Sequence, residues 1–317
     1  MLKGLGNIGD MAKMMKAAQE MQGKMAEMQE NLGAVIVTGE SGAGLVKATA
    51  TAKGELTGLE IDPSIFVPTE KEVVEDLILA AIKDAQAKAT ERAQQEMGVP
   101  AEIIVAIIGV ETYYGRIAGS YRVIDALSTL AFDYPRRSEF FTKELKNYLI
   151  LTRDQKMDPL LLKGSYAGAM GYGQFMPSSY RSYAIDFDGD DLADIWNNPV
   201  DAIGSVANYF KAHGWTEGGQ VVLPARAESA VPDEMLSVGR ALKPRFTVGE
   251  FIAAGLVPEG GADHSAEAIG VQFELEDGFE YWLGLHNFYV ITRYNHSAMY
   301  AMSVYQLSQR IAAGMAQ

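Results

Sequence analysis

At Gly98-Val99-Pro100 the pattern of the chain changes, and that break decides how its 317 residues can be divided. Upstream, methionine recurs at helical spacing and short strand-like runs are separated by glycine. Downstream, methionine becomes rarer, aromatic residues become more frequent, and one helical pattern follows another. Pro100 suits the first turn of a new helix, where its missing N–H would have no intrahelical partner anyway. The break therefore predicts two domains, residues 1–98 and 99–317, in a chain long enough for both.

In the first half, residues 10–32 read as one helix. Met11, Met14, Ala18, Met21, Met25, Met28 and Leu32 alternate spacings of three and four, which places them on one seam. Lys13, Lys16, Glu20, Lys24, Glu27 and Glu30 fill the opposite face. The seam reads either as the inner face of this domain or as a dimer contact, a use to which flexible methionine is suited. Three strands are expected at 34–38, 45–52 and 55–61, separated by the glycine-rich stretches 39–44 and 53–54. Val46, Ala48 and Ala50 alternate with Lys47, Thr49 and Thr51, as in a sheet with one wet face. A long helix starts near Thr69, which stands at capping-box distance from Glu72, and runs to about Met97.

The second half predicts helices at 101–113, 122–132, 137–153, 176–184, 199–212, 248–255 and 297–313. Thr247 and Glu250 again have capping-box spacing. Residues 268–275 and 278–283 form a small β hairpin, and 225–240 and 257–267 are the expected exposed loops. The fold class is α+β: a small helix–three-strand–helix module followed by a mainly α domain with one hairpin.

Charge and cysteine narrow the possible functions. The formal net charge is −14, and neither half is basic: 10 Lys and Arg oppose 15 Asp and Glu in 1–98, and 17 oppose 26 in the remainder. A broad electrostatic grip on DNA or anionic lipid is disfavoured, so any DNA contact needs a local patch. With no cysteine there is no disulfide, no thiolate metal site and no lipid-modified N-terminal Cys. No stretch reaches the about 18 to 20 apolar residues of a transmembrane segment. The N-terminus lacks the apolar core of a secretory signal, so the chain as written reads as cytoplasmic.

Two constellations carry chemistry. Glu111 follows the apolar run 103–110, which ends one residue before it. A carboxyl at the end of a buried helix is poorly solvated, which favours its protonated form. That is what a general acid at neutral pH requires. The plainer reading is a helix-terminal Glu that caps or pairs with Arg116. The second constellation places Asp186, Asp188 and Asp190 at alternate positions, followed by the Leu192 carbonyl, as in the opening of an EF-hand calcium loop. The sixth position is Asp191 instead of Gly, and the twelfth is Asn197 instead of Glu. Asp201, four residues later, could close the site only from a longer loop. The alternative is an acidic, solvated loop. His213, His264, His286 and His296 have no metal-ligand spacing and read as structural.

The run VTGESGAGLVKATATAKGELTGLEIDPS, the methionine-rich first helix and EDLILAAIKDA together resemble the YbaB nucleoid-associated family over residues 1–97. The resemblance implies a subunit that forms homodimers and binds DNA with little sequence preference. Lys3, Lys13, Lys16, Lys24, Lys47 and Lys53 are the cations available for that.

From Val99 onward the chain resembles the B-type lytic murein transglycosylases. The segment IIVAIIGVETYYGRIAGSYRVIDALSTLAFDYPRRSEFF is similar to their catalytic-Glu segment, and KGSYAGAMGYGQFMPSSYRSYAIDFDGDD to their central groove segment. DAIGSVANYFKAHGW and NFYVITRYNHSAMYAMSVYQL follow in the family's order. The resemblance implies a lysozyme-like fold and peptidoglycan glycan strands as substrate. It also implies cleavage of the β-1,4 bond from MurNAc to GlcNAc, with formation of 1,6-anhydro-MurNAc. Glu111 carries over as the single acid and base, which fits a sequence in which no second carboxylate stands out as its partner. Arg136, Arg137, Ser165, Gln174, Tyr294, Asn295 and Tyr300 carry over as substrate-binding residues. A structural calcium held by Asp186, Asp188, Asp190, Leu192 and Asp201 is implied, and no organic cofactor. The family is periplasmic and has a further helical segment upstream of the catalytic helix, forming part of the groove wall. A YbaB-like module stands there in this chain, so apolar groups on 101–110 must be covered otherwise or remain exposed. The rival expectation is a nucleoid-associated DNA-binding protein whose transglycosylase domain is truncated and inactive, or one that only binds murein.

Overall fold

The computed structural model describes residues 33–52, 55–67, 71–187, 190–237 and 242–315. The expected helix of 10–32 with its methionine seam, Lys3, Lys13, Lys16, Lys24, Lys53, Thr69 and Asp188 lie outside these residues. The chain separates into two compact units, and the main division between them falls between Glu96 and Met97.

In the first unit, strands β1 (Ile36–Ser41), β2 (Val46–Thr51) and β3 (Leu56–Ile61) form an antiparallel sheet in that order. The alternation in β2 does what its pattern predicts: Val46, Ala48 and Ala50 are fully buried while Lys47 faces out. Helix α1 (Lys71–Met97) covers the buried face, where Ala81 and Ala85 meet those three residues. Small side chains let the backbones touch. A Cβ added at Gly39 of β1 would lie 2.1 Å from the Ala85 nitrogen, so no larger residue fits without displacing backbone. Polar contacts fix the same junction: the Glu40 amide donates to Asp84 Oδ2 at 2.9 Å, and Lys88 Nζ donates to the Thr38 carbonyl at 3.1 Å.

The second unit opens with α2 (Ala101–Thr112), followed by the short strand β4 (Tyr121–Arg122), α3 (Val123–Asp133) and α4 (Ser138–Asp154). Strand β5 (Lys163–Gly164) pairs with β4, and α5 (Pro177–Tyr183) and α6 (Pro199–Ala212) complete a helical layer. Then come β6 (Val222–Ala227), β7 (Phe246–Thr247), α7 (Val248–Ala253), β8 (Leu256–Pro258), β9 (Glu267–Leu275) and β10 (Gly278–Gly284). Two helices close the chain, α8 (His286–Tyr294) and α9 (Ala298–Met315). Helix α2 packs against α9 and α6, and α4 bridges α3 and α5. Ile103, Ile104, Ala106, Ile107 and Ile108 of α2 are buried, which answers the question of what covers them.

The expected hairpin is the β9–β10 pair, and it is the centre of something larger. Strands β7, β9, β10, β6 and β8 form a five-stranded antiparallel sheet in that order. Leu223, Met235, Val248, Phe251, Leu256, Ala268, Leu283 and Leu285 make its core. The segment 225–240 is thus no plain exposed loop: it begins in β6 and buries Met235 and Leu236. Residues 257–267 likewise contribute to β8 and β9. Helix α7 carries the expected capping box, with Thr247 Oγ1 accepting from the Glu250 amide at 3.2 Å and Glu250 accepting from the Thr247 amide at 2.7 Å. Among the described residues no helix is long and apolar enough to cross a membrane.

Candidate active site

Glu111 lies in the last turn of α2, half-buried, with Ile107 and Ile108 buried in the turn before it. Burial raises its carboxyl above the ordinary glutamate range, and a hydrogen bond from Tyr300 opposes part of that rise. Tyr300, in the first turn of α9, donates its hydroxyl to Glu111 Oε1 at 2.6 Å. Its own titration is pushed up by burial first and by the Glu111 charge second. Tyr294, the last residue of α8, is raised for the same two reasons and donates its hydroxyl to the Gly173 carbonyl at 2.6 Å. The ring of Tyr209 on α6 packs edge-on against Tyr294 at 4.7 Å between centroids.

The chain after Glu111 turns sharply. Tyr113 (φ +50°), Tyr114 (φ +59°) and Gly115 (φ +82°) are all left-handed, a conformation that non-glycine residues adopt only where the surroundings fix it. Gly115 is obligatory here, since a Cβ on it would fall 2.1 Å from the Tyr172 ring. Thr112 hydrogen-bonds through Oγ1 to the Tyr172 carbonyl at 2.9 Å. Gln174 Nε2 donates to Ala118 O at 3.1 Å and to Gly171 O at 3.0 Å. The two loops beside Glu111, residues 113–119 and 164–175, are joined by these bonds.

The structure brings the sequence-derived residues together unevenly. Glu111 and Tyr300 are in direct contact, and Tyr294 and Gln174 hold the same glycine-rich loop. Gln174 spends its amide nitrogen on backbone carbonyls, which leaves Oε1 as the atom able to accept from a ligand. Ser165 Oγ accepts from the Ala169 amide at 3.1 Å, so its hydroxyl proton is what it can offer. Arg136 and Arg137 are exposed in the 3-10 turn between α3 and α4, with the Arg137 guanidinium 4.3 Å over the Phe140 ring. Asn295 is exposed just past α8. Among the described residues none of these last three hydrogen-bonds to the Glu111 group. The reading from sequence passed over Thr112 and Tyr172. Only the position of Thr112 directly after Glu111 could have drawn attention to it.

Away from this group, Asp186, Asp190 and Asp201 each offer a carboxylate oxygen, all within 4.8 Å of one another. Oxygens at that separation can share one ion at the about 2.3 to 2.6 Å typical of calcium. Asp201, in the first turn of α6, is fully buried and accepts from the Asp194 amide at 2.8 Å. Asp186 accepts from the Asp191 amide at 2.8 Å. Asp191 has φ +73°, the conformation for which the sixth loop position ordinarily uses glycine. The Leu192 carbonyl accepts from the Asp194 amide at 3.0 Å. The donor set is all oxygen, and it fits a hard cation.

Residues 79–309 match the transglycosylase SLT domain family, and residues 7–101 match the YbaB/EbfC DNA-binding family. The chain belongs to both families. Over 229 residues it is 52% identical to membrane-bound lytic murein transglycosylase B of Escherichia coli, an alignment that covers 72% of this chain and 62% of that protein. It thus spans less than two thirds of that relative's length. Over 91 residues, 29% of the chain, it is 47% identical to a nucleoid-associated protein of Rhodospirillum rubrum, 82% of which is covered. The second unit superimposes on the E. coli lytic transglycosylase Slt35, solved in complex with calcium. The TM-score is 0.67 with 52% identity, covering 73% of this chain and 72% of that one. Its fold is that of the lysozyme-like transglycosylases.

Proposed function

We propose that the second unit cleaves the β-1,4 bond between MurNAc and GlcNAc in peptidoglycan without water, with Glu111 as both acid and base. The observation that carries this is the Glu111 carboxyl itself: half-buried, raised by desolvation, and held through Oε1 by Tyr300. With Oε1 occupied, Oε2 carries the proton. It passes to the glycosidic oxygen as the bond from C1 of MurNAc breaks, and GlcNAc leaves with a free 4-hydroxyl. The substrate's N-acetyl group stabilises the positive charge at C1. The Glu111 carboxylate then takes the proton of the C6 hydroxyl as its oxygen bonds to C1, closing the 1,6-anhydro ring and returning Glu111 to its acid form. One carboxylate suffices because the nucleophile belongs to the substrate, whereas hydrolytic glycosidases use two.

Tyr300 positions the carboxyl, and Ser165, Gln174, Tyr294, Asn295, Arg136 and Arg137 would supply sugar and peptide contacts. Amides and hydroxyls suit sugar, and Arg suits the lactyl or peptide carboxylates. Asp186, Asp190, Asp201 and the Leu192 carbonyl, with Asp188, would hold calcium as a structural ion. Mass spectrometry of digested murein tests the reaction. The expected muropeptides are one water lighter than hydrolysis products, and Glu111→Gln yields none. Products of full hydrolytic mass would overturn the mechanism.

The match of residues 7–101 supports a second activity, binding of DNA with little sequence preference by a self-associating first unit. A gel shift with unrelated duplexes tests it, and light scattering tests the self-association. If DNA shifts while murein stays intact, the chain is a nucleoid-type binder with an inactive second unit.

A further inference from the structure

Glu111 sits between two frames. Its main chain belongs to α2, while its hydroxyl partner Tyr300 belongs to α9 and the neighbouring Tyr294 to α8. A carboxyl on the last turn of a helix is placed only as well as that turn is placed, and this one runs straight into three left-handed residues. Thr112, 1% exposed, stands between the carboxyl and that turn. Its hydroxyl oxygen accepts from the Gly115 amide at 3.0 Å and so holds the turn shut. Its single proton is shared between the Ile108 carbonyl of its own helix at 3.1 Å and the Tyr172 carbonyl at 2.9 Å.

The Tyr172 bond matters because of what comes next. The following residue, Gly173, presents the carbonyl that accepts from Tyr294, and a Cβ on Gly173 would lie 2.7 Å from the Tyr294 oxygen. The Gly171 carbonyl accepts from Gln174, whose second donor reaches Ala118 in the turn beyond Gly115. Three successive carbonyls, from residues 171, 172 and 173, are thus each bonded to a side chain. Only the middle one connects directly to the helix that carries Glu111.

We propose that Thr112 is a positioning residue for the reaction, its hydroxyl fixing the Glu111 carboxyl against the tyrosine frame by tying the end of α2 to the loop that Tyr294 holds. The proposal rests on Glu111 being the acid and base. Thr112 itself touches no reacting atom. Valine at this position keeps the β-branched shape and removes all three hydrogen bonds, to Ile108, Tyr172 and Gly115, whereas serine keeps the hydroxyl.

The test compares the parent chain, Thr112→Val and Thr112→Ser on soluble glycan fragments. The expected result is a kcat about 10- to 100-fold lower for Thr112→Val, the scale on which small misplacements of reacting groups act, with KM nearly unchanged. Thr112→Ser is expected within a few-fold of the parent, and melting curves check that each variant is folded. Equal kcat for Thr112→Val and the parent overturns the proposal, as does a loss in KM alone or a serine variant as impaired as the valine one. Glu111→Gln is run beside them. If that variant cleaves like the parent, the acid–base assignment fails by itself. For that case, or for a chain that does not cleave the fragments, the comparison is read on the Glu111 carboxyl directly. Carbon NMR of Glu-labelled protein identifies its titration by its loss in Glu111→Gln. That titration is expected to fall toward the ordinary carboxyl range in Thr112→Val and to stay in place in Thr112→Ser. An unmoved titration in Thr112→Val overturns the proposal.

Discussion

Replacing Asp201 by asparagine should change the stability of the second unit in opposite directions with and without calcium. In the parent, Asp186 and Asp201 bring carboxylate oxygens within 4.8 Å of each other, and Asp201 is fully buried. Two full charges at that distance repel by about 3 to 4 kcal/mol at an effective dielectric of ~20. Hydrogen bonds to the two carboxylates, those from the Asp191 and Asp194 amides among them, offset part of that. Asparagine removes one charge and keeps an oxygen for the Asp194 amide, so in EDTA the Asp201→Asn variant should melt at or above the parent. Calcium reverses the order. At a hundredfold excess over its dissociation constant a ligand of the folded state adds about 2.7 kcal/mol. For a unit of this size that raises Tm by about 5 to 10 °C. The variant has lost a formal charge and a strong ligand, and should gain little. Differential scanning calorimetry of parent and variant, each in EDTA and in calcium, reads all four values. A parent that melts identically in both buffers, or a variant with an undiminished calcium response, would refute the reasoning.

Glu111→Gln should also stabilise the protein, and in a pH-dependent way. Because the folded carboxyl is raised, its contribution is fully present below the ordinary glutamate range and is lost as pH rises through the folded value. Urea melts should therefore show the variant gaining over the parent at pH 7 to 8 and the gain vanishing toward pH 4. By the same shift, cleavage that needs protonated Glu111 should decline on the alkaline side. Phe251→Ala should cost the sheet core about 3 to 5 kcal/mol, since Phe251 is completely buried there. Denaturant unfolding followed by Trp282 fluorescence on β10 checks it. Gly39→Ala should destabilise the first unit by about 1 to 3 kcal/mol or more, because the new methyl would meet the Ala85 backbone. Faster hydrogen exchange in β1 and α1, with unchanged exchange in α2, is the expected readout.

The parts of this protein legible in the sequence are those whose cause is local. Pro100 starts α2, period-two alternation makes β2, and Gly278 closes the β9–β10 hairpin with φ +125°. What escaped is made by distant partners. Strand β7 is two residues long and exists because Phe246 pairs with Ala268, twenty-two positions away. Segment 225–240, rich in charge and punctuated by Pro232, reads as a loop until the sheet gives Met235 a core to pack in and Leu236 a bridge to Gly270 of β9. Helix α8 carries the apolar and aromatic residues Phe288, Tyr289, Val290 and Ile291 in an unbroken run, which shows no helical period. The site divides in the same way. The burial of Glu111 follows from the run before it, whereas its hydroxyl partner comes from a residue 189 positions later. The uses of the Gly171, Tyr172 and Gly173 carbonyls have no side-chain signature at all.

The apolar residues of α2 bear on whether Glu111 can keep its raised state in this chain. A carboxyl stays raised only while water is kept from it, so the cover over α2 is part of the chemistry. That cover comes from α9 and α6, both within the second unit, and Ile104, Ala106 and Ile107 are completely enclosed by it. Val110, one residue before Glu111, is 39% exposed, as are the faces of Tyr113 and Tyr114 at 55% and 45%. The desolvation of Glu111 is therefore built from beneath, by the helix's own packing, while the side toward Val110 and the two tyrosines stays open. If Glu111 is the acid of the proposed reaction, being raised from below and open above would let it deliver its proton to a substrate arriving on the exposed aromatic side. In the proposed mechanism the substrate's own surface would then complete the exclusion of water on which the second, deprotonating step depends.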